Sequence, residues 1–267
     1  MDMLRRSLSP ITDAAWKEID EQAVKVLEAR LSARKFVDVS GPHGWDYAVV
    51  PTGRLDVSKK TGPQDVRWGV HVVQPLVETR IPFEMDLWEL DNIVRGAKDL
   101  DLDPVVEAAH KAALFEEEAV YHGFDPACIT GLSQAGASQA LALSTSSPAG
   151  IMEAVTGAVV ALREQSIEGP YVLVAGRELW QAIETRGEGY PLGKRVGSIL
   201  DGGTVFAPHI DGGFVVSVRG GDMELVLGQD ISIGFEGVKG EKARLFMAES
   251  FTFRVIEPAA IVPLVKK

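Results

Sequence analysis

The sequence has almost no cysteine and no long apolar run. Its 267 residues include one cysteine, Cys128, so neither an intrachain disulfide nor a cysteine-based metal cluster can form. No stretch approaches the ~18 consecutive apolar residues that argue for a membrane-spanning helix. The start of the chain carries charges but no apolar segment of signal-peptide length. These absences predict a cytoplasmic protein with no membrane partner.

Positive charge is also scarce. The chain has 27 Lys and Arg against 38 Asp and Glu, a formal net charge of -11. Nucleic-acid binders gain most of their affinity by neutralising phosphates, and the closest approach to a basic run here is Arg5-Arg6. No nucleic-acid partner is therefore expected. In contrast, 46% of the residues are hydrophobic, which is enough for the core of one large domain or two modest ones.

Patterns that would carry catalysis are missing from the sequence. Glu118 and His122 lie four residues apart, but no second ligand pair and no HExxH motif accompanies them. Ser133 lies in a Gly-Leu-Ser-Gln-Ala-Gly run that misses the GxSxG nucleophile motif by one residue. The phosphate-binding patterns GxxxxGK[ST] and GxGxxG do not occur. The sequence predicts no catalytic residue, no metal site and no enzymatic activity.

Apolar periodicity and capping residues predict an α+β fold with three main helices. A polar segment at 131–147 is expected to be a loop. The predicted helices run from a Thr12 or Asp13 cap to Leu31, from Asp103 as N-cap and Pro104 to Gly123, and onward from Pro148. The predicted strands are 35–39, 171–175, 204–206, 214–218, 224–227, 231–235 and 244–256.

Residues 47–82 predict a long two-stranded arm. Alternating apolar runs flank a polar tip, Ser58–Pro63. A ribbon of two strands is only marginally stable in water by itself. We therefore expect this arm to pack on another subunit.

Short sequence words, in a shared order and at compatible spacing, carry a resemblance to one family. The words are LRRSLSP at 4–10, WKEID at 16–20, RKFVDV at 34–39, GPHGW at 41–45, DLWELDN at 86–92, EGPY at 168–171, GYPL at 189–192, RGGD at 219–222, LGQDISIG at 227–234 and ESFTF at 249–253. Along nearly its whole length the sequence resembles the encapsulins, an older name for which is linocin-type bacteriocins.

The resemblance implies an HK97 major-capsid-like fold with a peripheral domain, an axial domain and an extended loop. Residues 1–47 would hold the N-terminal helix and the start of the peripheral domain, and 48–82 the extended loop. Residues 83–130 would continue the peripheral domain with its spine helix, 131–222 would form the axial domain, and 223–267 would supply return strands. The five-fold pore would be lined by Arg186, Gly187, Glu188, Gly189 and Tyr190, an acidic aperture that favours cations.

The resemblance also implies a function as a shell subunit. Such subunits self-assemble into an icosahedral nanocompartment, here expected to be a T=1 60-mer, and enclose cargo enzymes through a C-terminal targeting peptide of the cargo. The expected cargo is a dye-decolourising peroxidase or a ferritin-like iron-oxidising protein, which would serve oxidative-stress defence or iron storage. A phage or prophage major capsid protein, and the bacteriocin or protease of the family's older names, stay open as alternatives.

Two candidate sites follow from the resemblance. Trp88, with Arg80 nearby, would stack a surface-bound flavin, although a tryptophan in this position serves equally well as a core anchor. The cargo peptide would dock between the N-terminal helix and a later strand, unless these residues only hold the two elements together. The matching positions are Leu27, Leu31, Arg34, Phe36, Asp38, Asp230, Ile231 and Ile233.

Overall fold

A computed structural model describes residues 3–59, 62–185 and 190–266 of the chain. Within them, the helices are α1 (Asp13–Arg30), α2 (Leu87–Arg95), α3 (Asp103–His122), α4 (Leu132–Ala135), α5 (Pro148–Glu164), α6 (Arg177–Thr185) and α7 (Leu192–Leu200). The strands are β1 (Asp38–Ser40), β2 (Val49–Val57), β3 (Gly69–Pro75), β4 (Val77–Asp86), β5 (Leu141–Leu143), β6 (Tyr171–Ala175), β7 (Asp201–Phe206), β8 (Gly213–Ser217), β9 (Met223–Lys239), β10 (Lys242–Val255) and β11 (Ile261–Lys266).

The first sheet has the strand order β1-β9-β10-β4. β9 and β10 form a long antiparallel hairpin, β4 runs antiparallel to β10, and β1 adds to β9 in parallel. Helix α3 packs on β4 and β10, and α1 packs on α3. The apolar side chains between them form one core cluster, which includes Trp16, Ile19, Met85 and Leu245. This packing places α1 beside β9.

The second sheet has the strand order β5-β11-β8-β6-β7. Its strands β6 and β8 are buried along their whole lengths, in keeping with their almost wholly apolar sequences. Helices α5 and α7 pack on this sheet over a separate core cluster. A third cluster joins the two sheets, and in it Tyr121 of α3 stacks on Phe214 of β8 with ring centroids 5.8 Å apart.

The predicted arm is a two-stranded ribbon, shorter than expected. β2 and β3 pair antiparallel from Val49 opposite Pro75 to Val57 opposite Gly69. β4 belongs to the first sheet, so the predicted C-terminal limit of the arm is wrong. Residues 60–61 of the predicted tip lie outside the described residues. The exposed apolar side chains between 49 and 75 are Val49, Leu55, Val57, Val66, Trp68, Val70, Val72 and Val73.

Polar side chains cap the starts of α1 and α2, whereas the cap predicted for α3 is not the observed one. The Thr12 hydroxyl accepts a backbone N–H of α1 at 3.3 Å, and the Asp86 carboxylate accepts the Trp88 N–H of α2 at 2.8 Å. Asp103 is the first helical residue of α3 and not its N-cap; Leu102 holds that position. The Asp103 carboxylate still lies in the first turn of α3, where its negative charge interacts favourably with the helix dipole. No helix of the described residues combines the length and apolarity needed to cross a membrane.

Several elements differ from the prediction because distant partners create them. The expected loop at 131–147 contains α4 and β5, and β5 is a strand because it pairs in parallel with β11. The sequence patterns did not predict β11 as a strand. It lies at the C-terminal end of the described chain and joins the second sheet between β5 and β8. Helix α7 was missed because Gly193 and Gly197 lower its helix propensity. Strands expected at 224–227 and 231–235 are one strand, β9, and the strand expected at 35–39 begins only at Asp38.

Candidate docking groove

A groove runs between helix α1 and strand β9. It has two adjoining chambers, an outer one of about 420 Å³ and an inner one of about 340 Å³. Val24, Leu27 and Ile231 line both chambers. The outer chamber is completed by Glu28, Leu31, Arg34, Lys35 and Asp230. The inner chamber is completed by Leu4, Arg6, Asp20, Ala23, Ser232, Ile233 and Met247.

Helix α1 supplies one wall because its apolar face is wider than the surface it covers. Trp16, Ile19 and Ala23 are buried in the core cluster shared with α3 and the first sheet. Val24 is 50% exposed and Leu27 is half-buried. An amphipathic helix normally buries its whole apolar stripe. The uncovered part gives the groove an apolar wall.

Strand β9 supplies the opposite wall through a β-bulge. Between Gln229 and Ser232, the two residues Asp230 and Ile231 face the single residue Glu249 of β10. A bulge bends the strand and redirects its side chains. The Asp230 carboxylate accepts the Ile231 N–H at 2.8 Å, which satisfies a backbone donor at the irregularity. The Ile231 side chain is left half-buried at the junction of the two chambers.

Arg34 lies at the outer end of the groove, where carboxylates of the protein itself hold it. Its guanidinium donates to Glu116 at 2.5 to 3.0 Å, to Glu249 at 2.7 Å and to Asp230 at 2.8 Å. The Arg34 side chain is 19% exposed, whereas that of Asp230 is 46% exposed. Because its donors are engaged, Arg34 offers little to a ligand carboxylate. Asp230 is the charged group of this cluster that faces the groove.

Three carboxyl groups surround the single positive charge of Arg34. Glu116 and Glu249 are both buried, and Asp230 is a third carboxylate on the same guanidinium. Burial raises the pKa of Glu249 well above its ordinary value, and the charge of Glu116 raises it further. Both effects favour the protonated form of Glu249, whereas the neighbouring Arg34 guanidinium opposes them.

A second buried acid anchors the turn that follows α1. Glu117 of α3 accepts the Ser32 hydroxyl and the Ala33 N–H, the latter at 2.9 Å, and Ser32 also bonds the Tyr121 hydroxyl at 2.7 Å. Burial raises the pKa of Glu117 to about 7. These hydrogen bonds attach the turn at the C-terminal end of α1 to helix α3.

Phe36 and Asp38 do not line either chamber. Phe36 is buried in the cluster that joins the sheets, 6.3 Å from the Tyr121 ring. Asp38 pairs with Glu224 at the start of β9, and its carboxylate accepts the Gly221 N–H at 2.6 Å. The structure thus brings together Leu27, Leu31, Arg34, Asp230, Ile231 and Ile233, and leaves these two elsewhere.

Sequence reasoning did not single out several residues of the groove. Leu4 and Arg6 lie in the first quoted word of the sequence, but nothing in its pattern indicates that this segment folds back onto β9. Glu116 and Glu249 were missed because buried carboxylates look like surface charges until their partner is known. An acid inside an otherwise apolar helix or strand face is the signal that could have found them. The residues missed are Leu4, Arg6, Asp20, Ala23, Val24, Glu28, Lys35, Glu116, Ser232, Met247 and Glu249.

The other predicted sites are placed only in part. Arg186, Gly187, Glu188 and Gly189 of the expected pore lie outside the described residues, and Tyr190 is 60% exposed. Among the residues with described coordinates, no group of three or more His, Cys, Asp and Glu side chains is placed to hold a metal ion.

Trp88 is exposed, but Arg80 is not its neighbour. The Trp88 side chain is 61% exposed at the start of α2. Arg80 lies six residues before the end of β4, about 20 Å along an extended strand, with its guanidinium over the Phe246 ring at 4.0 Å. The guanidinium near Trp88 belongs to Arg95, 5.8 Å from the ring centroid.

Comparisons with known proteins agree with this architecture. A family model described as an encapsulating protein for peroxidase matches residues 1–252. The type 1 encapsulin shell protein of Rhodospirillum rubrum is 41% identical and covers 99% of this chain and 96% of its own length. The type 1 encapsulin shell protein of Mycobacterium tuberculosis is 36% identical and covers 99% of both chains.

Solved structures show the same fold at low identity. The virus-like particle of Pyrococcus furiosus aligns with a TM-score of 0.69 and 16% identity, over 93% of this chain and 98% of that one. The capsid of Myoviridae phage XM1 aligns with a TM-score of 0.57 and 13% identity, over 88% and 91%. These likenesses confirm the predicted α+β, HK97-like capsid fold.

Proposed function

The chain belongs to the encapsulin shell proteins, and on this premise we propose that it self-assembles into a closed icosahedral shell, a T=1 60-mer, which encloses cargo enzymes. The cargo docks by a C-terminal targeting peptide in the groove between α1 and β9. The shell subunit carries out no reaction of its own and acts in the cytoplasm. The phage-capsid alternative shares the fold, but the relatives that share more than a third of the sequence are named as encapsulin shell proteins.

The ribbon of β2 and β3 is the observation that carries the assembly proposal. Its strands pair only with each other in the described chain, and both faces present exposed apolar side chains such as Leu55 and Val70. A two-stranded ribbon is not stable alone in water, and exposed apolar surface of this extent marks an interaction site. A neighbouring copy of the chain supplies the missing surface.

The groove supports peptide docking by its shape and charge. Its two chambers are walled by aliphatic side chains, and the outer chamber adds the carboxylates of Asp230 and Glu28 and, next to Arg34, the ammonium group of Lys35. Arg34 is already neutralised by its own acids. The occupant is therefore an extended peptide with apolar side chains and a cationic group near Asp230, in keeping with helix-and-strand grooves that read short linear segments. Many equivalent sites in one shell strengthen a weak single contact.

The cargo class favoured is a peroxidase. The matching family model is described as encapsulating protein for peroxidase, and the relatives named above are shells of the same type. A dye-decolourising peroxidase in the shell would serve oxidative-stress defence. The second candidate cargo is a ferritin-like iron-oxidising protein, which would serve iron storage.

A flavin bound at Trp88 belongs to the same proposal. The exposed indole offers a face for stacking, and Arg95 near that face suits a phosphate or an electron-rich ring. Within one chain Arg80 lies about 20 Å along β4 from the start of α2, so Arg95 is the arginine of the same chain beside the indole. Purified shells incubated with flavin should show its visible absorbance after gel filtration, and Trp88→Ala shells should not.

The test is to purify the native protein and image it by negative-stain electron microscopy, with mass spectrometry of what co-purifies. The proposal expects uniform closed particles that carry a second protein, and loss of that protein, with particles intact, in Ile231→Asp. A monodisperse monomer or small oligomer across salt and pH would contradict assembly. Intact shells whose contents do not change in Ile231→Asp would contradict docking in the groove.

A further inference from the structure

The inner chamber of the groove ends at the N-terminal segment Leu4–Ser9. The Leu4 carbonyl accepts the Phe235 N–H of β9 at 2.7 Å, so the segment lies on the edge of the strand just past the chamber. Leu4 and Arg6 are lining residues of that chamber. The outer chamber, at the other end, is bounded by Arg34, Lys35 and Glu28.

Arg6 bridges the two walls at this point. Its Nε donates to the Ile233 carbonyl of β9 at 2.7 Å, and its two terminal nitrogens donate to the Asp20 carboxylate of α1 at 2.6 and 2.7 Å. A two-pronged Arg–carboxylate pair is strong and fixes direction as well as distance. One side chain therefore fixes the separation of helix and strand at the end of the groove.

The bridge is itself held in place. The Arg6 guanidinium lies 4.3 Å from the centroid of the Trp16 ring, a cation–π contact. The Ser9 hydroxyl donates to the Arg6 carbonyl at 2.8 Å and accepts the Trp16 indole N–H at 3.1 Å. These bonds join the turn Arg6–Leu8 to the first turns of α1. The segment Leu4–Ser9 is therefore held in a defined position at the end of the groove.

The length of the groove matches a short peptide. From Asp20 to Leu31, α1 rises about 16 Å at 1.5 Å per residue. About five residues of extended chain cover that distance. A peptide that enters from the outer end would fill both chambers and then meet Leu4 and Arg6.

We infer that the groove is closed at its inner end by the segment Leu4–Ser9, with Arg6 as the positioning residue, so that a docked peptide must terminate there. This inference rests on the proposed docking of a cargo peptide and deepens it. A peptide at the C-terminus of a cargo protein can end at the wall, with its linker leaving past Arg34. A peptide with further residues after it cannot. The wall thereby selects terminal peptides over internal segments.

The experiment uses shells co-expressed with a fluorescent protein that carries randomised C-terminal hexapeptides. Tags that load the fluorescent protein into shells are selected and then followed by four added Gly-Ser residues. Wild-type shells are expected to load the extended tag about tenfold less, a discrimination equivalent to ~1.4 kcal/mol. Shells of Arg6→Ala, which lack the bridge, are expected to load both tags alike, and Asp20→Asn shells should lie between.

Arg5→Ala is the matched control, since it removes the same charge from the adjacent exposed position. It should discriminate as wild type does. Arg6→Lys keeps the charge but not the two-pronged geometry and should restore discrimination only in part. Particle size by sedimentation shows that each variant assembles. Hydrogen exchange at the Phe235 amide, without any tag, should quicken in Arg6→Ala and stay unchanged in Arg5→Ala.

The outcomes separate this inference from the proposed function. If no hexapeptide loads the fluorescent protein above the untagged level, docking of a terminal peptide fails and the closed end fails with it. If selected tags load, and wild-type shells load the extended tags equally well, the closed end is wrong while docking stands. If discrimination persists in Arg6→Ala and Asp20→Asn, Arg6 is not the positioning residue.

Discussion

At the scale of single residues, the buried acids next to the groove make stability depend on pH. Glu117 titrates near 7 in the fold because it is buried, against an ordinary value of 4.5. Between these values the unfolded chain releases a proton that the folded chain keeps. The free energy of unfolding should therefore be highest below pH 4.5 as far as this group is concerned, and fall by about 3 kcal/mol as pH rises to 7.

Glu117→Gln is expected to flatten that dependence. The amide oxygen can accept the Ala33 N–H, and the neutral side chain has no charge to bury. Calorimetric melting of wild-type and variant shells at pH 5 and pH 7.5 measures the effect. The variant should gain stability relative to wild type at the higher pH. Parallel melting curves for the two proteins would contradict the assignment.

Arg34 is expected to matter for stability more than for direct contact with a ligand. Arg34→Met leaves Glu116 and Glu249 without their cation, and breaking a buried ion pair typically costs about 3 to 5 kcal/mol. The control is Arg244→Met, which removes an arginine from a half-exposed pair with Glu236 and should cost under ~1 kcal/mol. Chemical unfolding of both variants tests this. Equal losses would show that Arg34 is an ordinary surface charge.

At the scale of elements, the ribbon and the groove should fail independently. Val70 and Val24 are both exposed valines, 59% on β3 and 50% on α1. Val70→Asp places a charge in the proposed contact between subunits and should prevent assembly, as sedimentation would show. The isolated chain should keep its fold, because Val70 contributes little to the core. Assembled Val70→Asp shells would argue against the ribbon as a clasp.

Val24→Asp is the complementary variant. It charges the shared wall of the two chambers and should leave assembly intact while cargo loading falls about tenfold or more, as ~1.4 kcal/mol of lost affinity predicts. The ratio of cargo to shell in purified particles measures it. An unchanged ratio would mean that the occupant does not touch this wall.

The elements also show how far sequence could lead. Strong local patterns predicted α1 and β6 with correct types and nearly correct ends, and the start of α5 at Pro148. Elements that exist because of a distant partner were missed, such as β5, which needs β11. In the groove, the resemblance located Leu27, Arg34 and Ile231. No local sequence pattern indicated that Arg34 pairs with buried acids or that the N-terminal segment closes the inner chamber. Both features depend on residues far apart in sequence.

At the scale of the whole molecule, the fold presents more apolar surface than one chain can cover. The exposed side chains of the ribbon, the open groove wall and Trp88 lie on different elements. Each is matched in this account to a different partner: a neighbouring subunit, a cargo peptide and a flavin. Of these three interactions, self-association is the central one, because a cargo protein can be enclosed only if the subunits form a closed shell.

The mass of the native particle tests that claim most directly. Sixty copies of the 28.8 kDa chain give about 1.7 MDa of shell in a closed, symmetric assembly, with added mass from any cargo. Mass photometry of the purified wild-type protein at nanomolar concentration should show this species as a single peak at or above that value. A peak at the mass of a monomer or small oligomer, unchanged by concentration, salt or pH, would contradict the account.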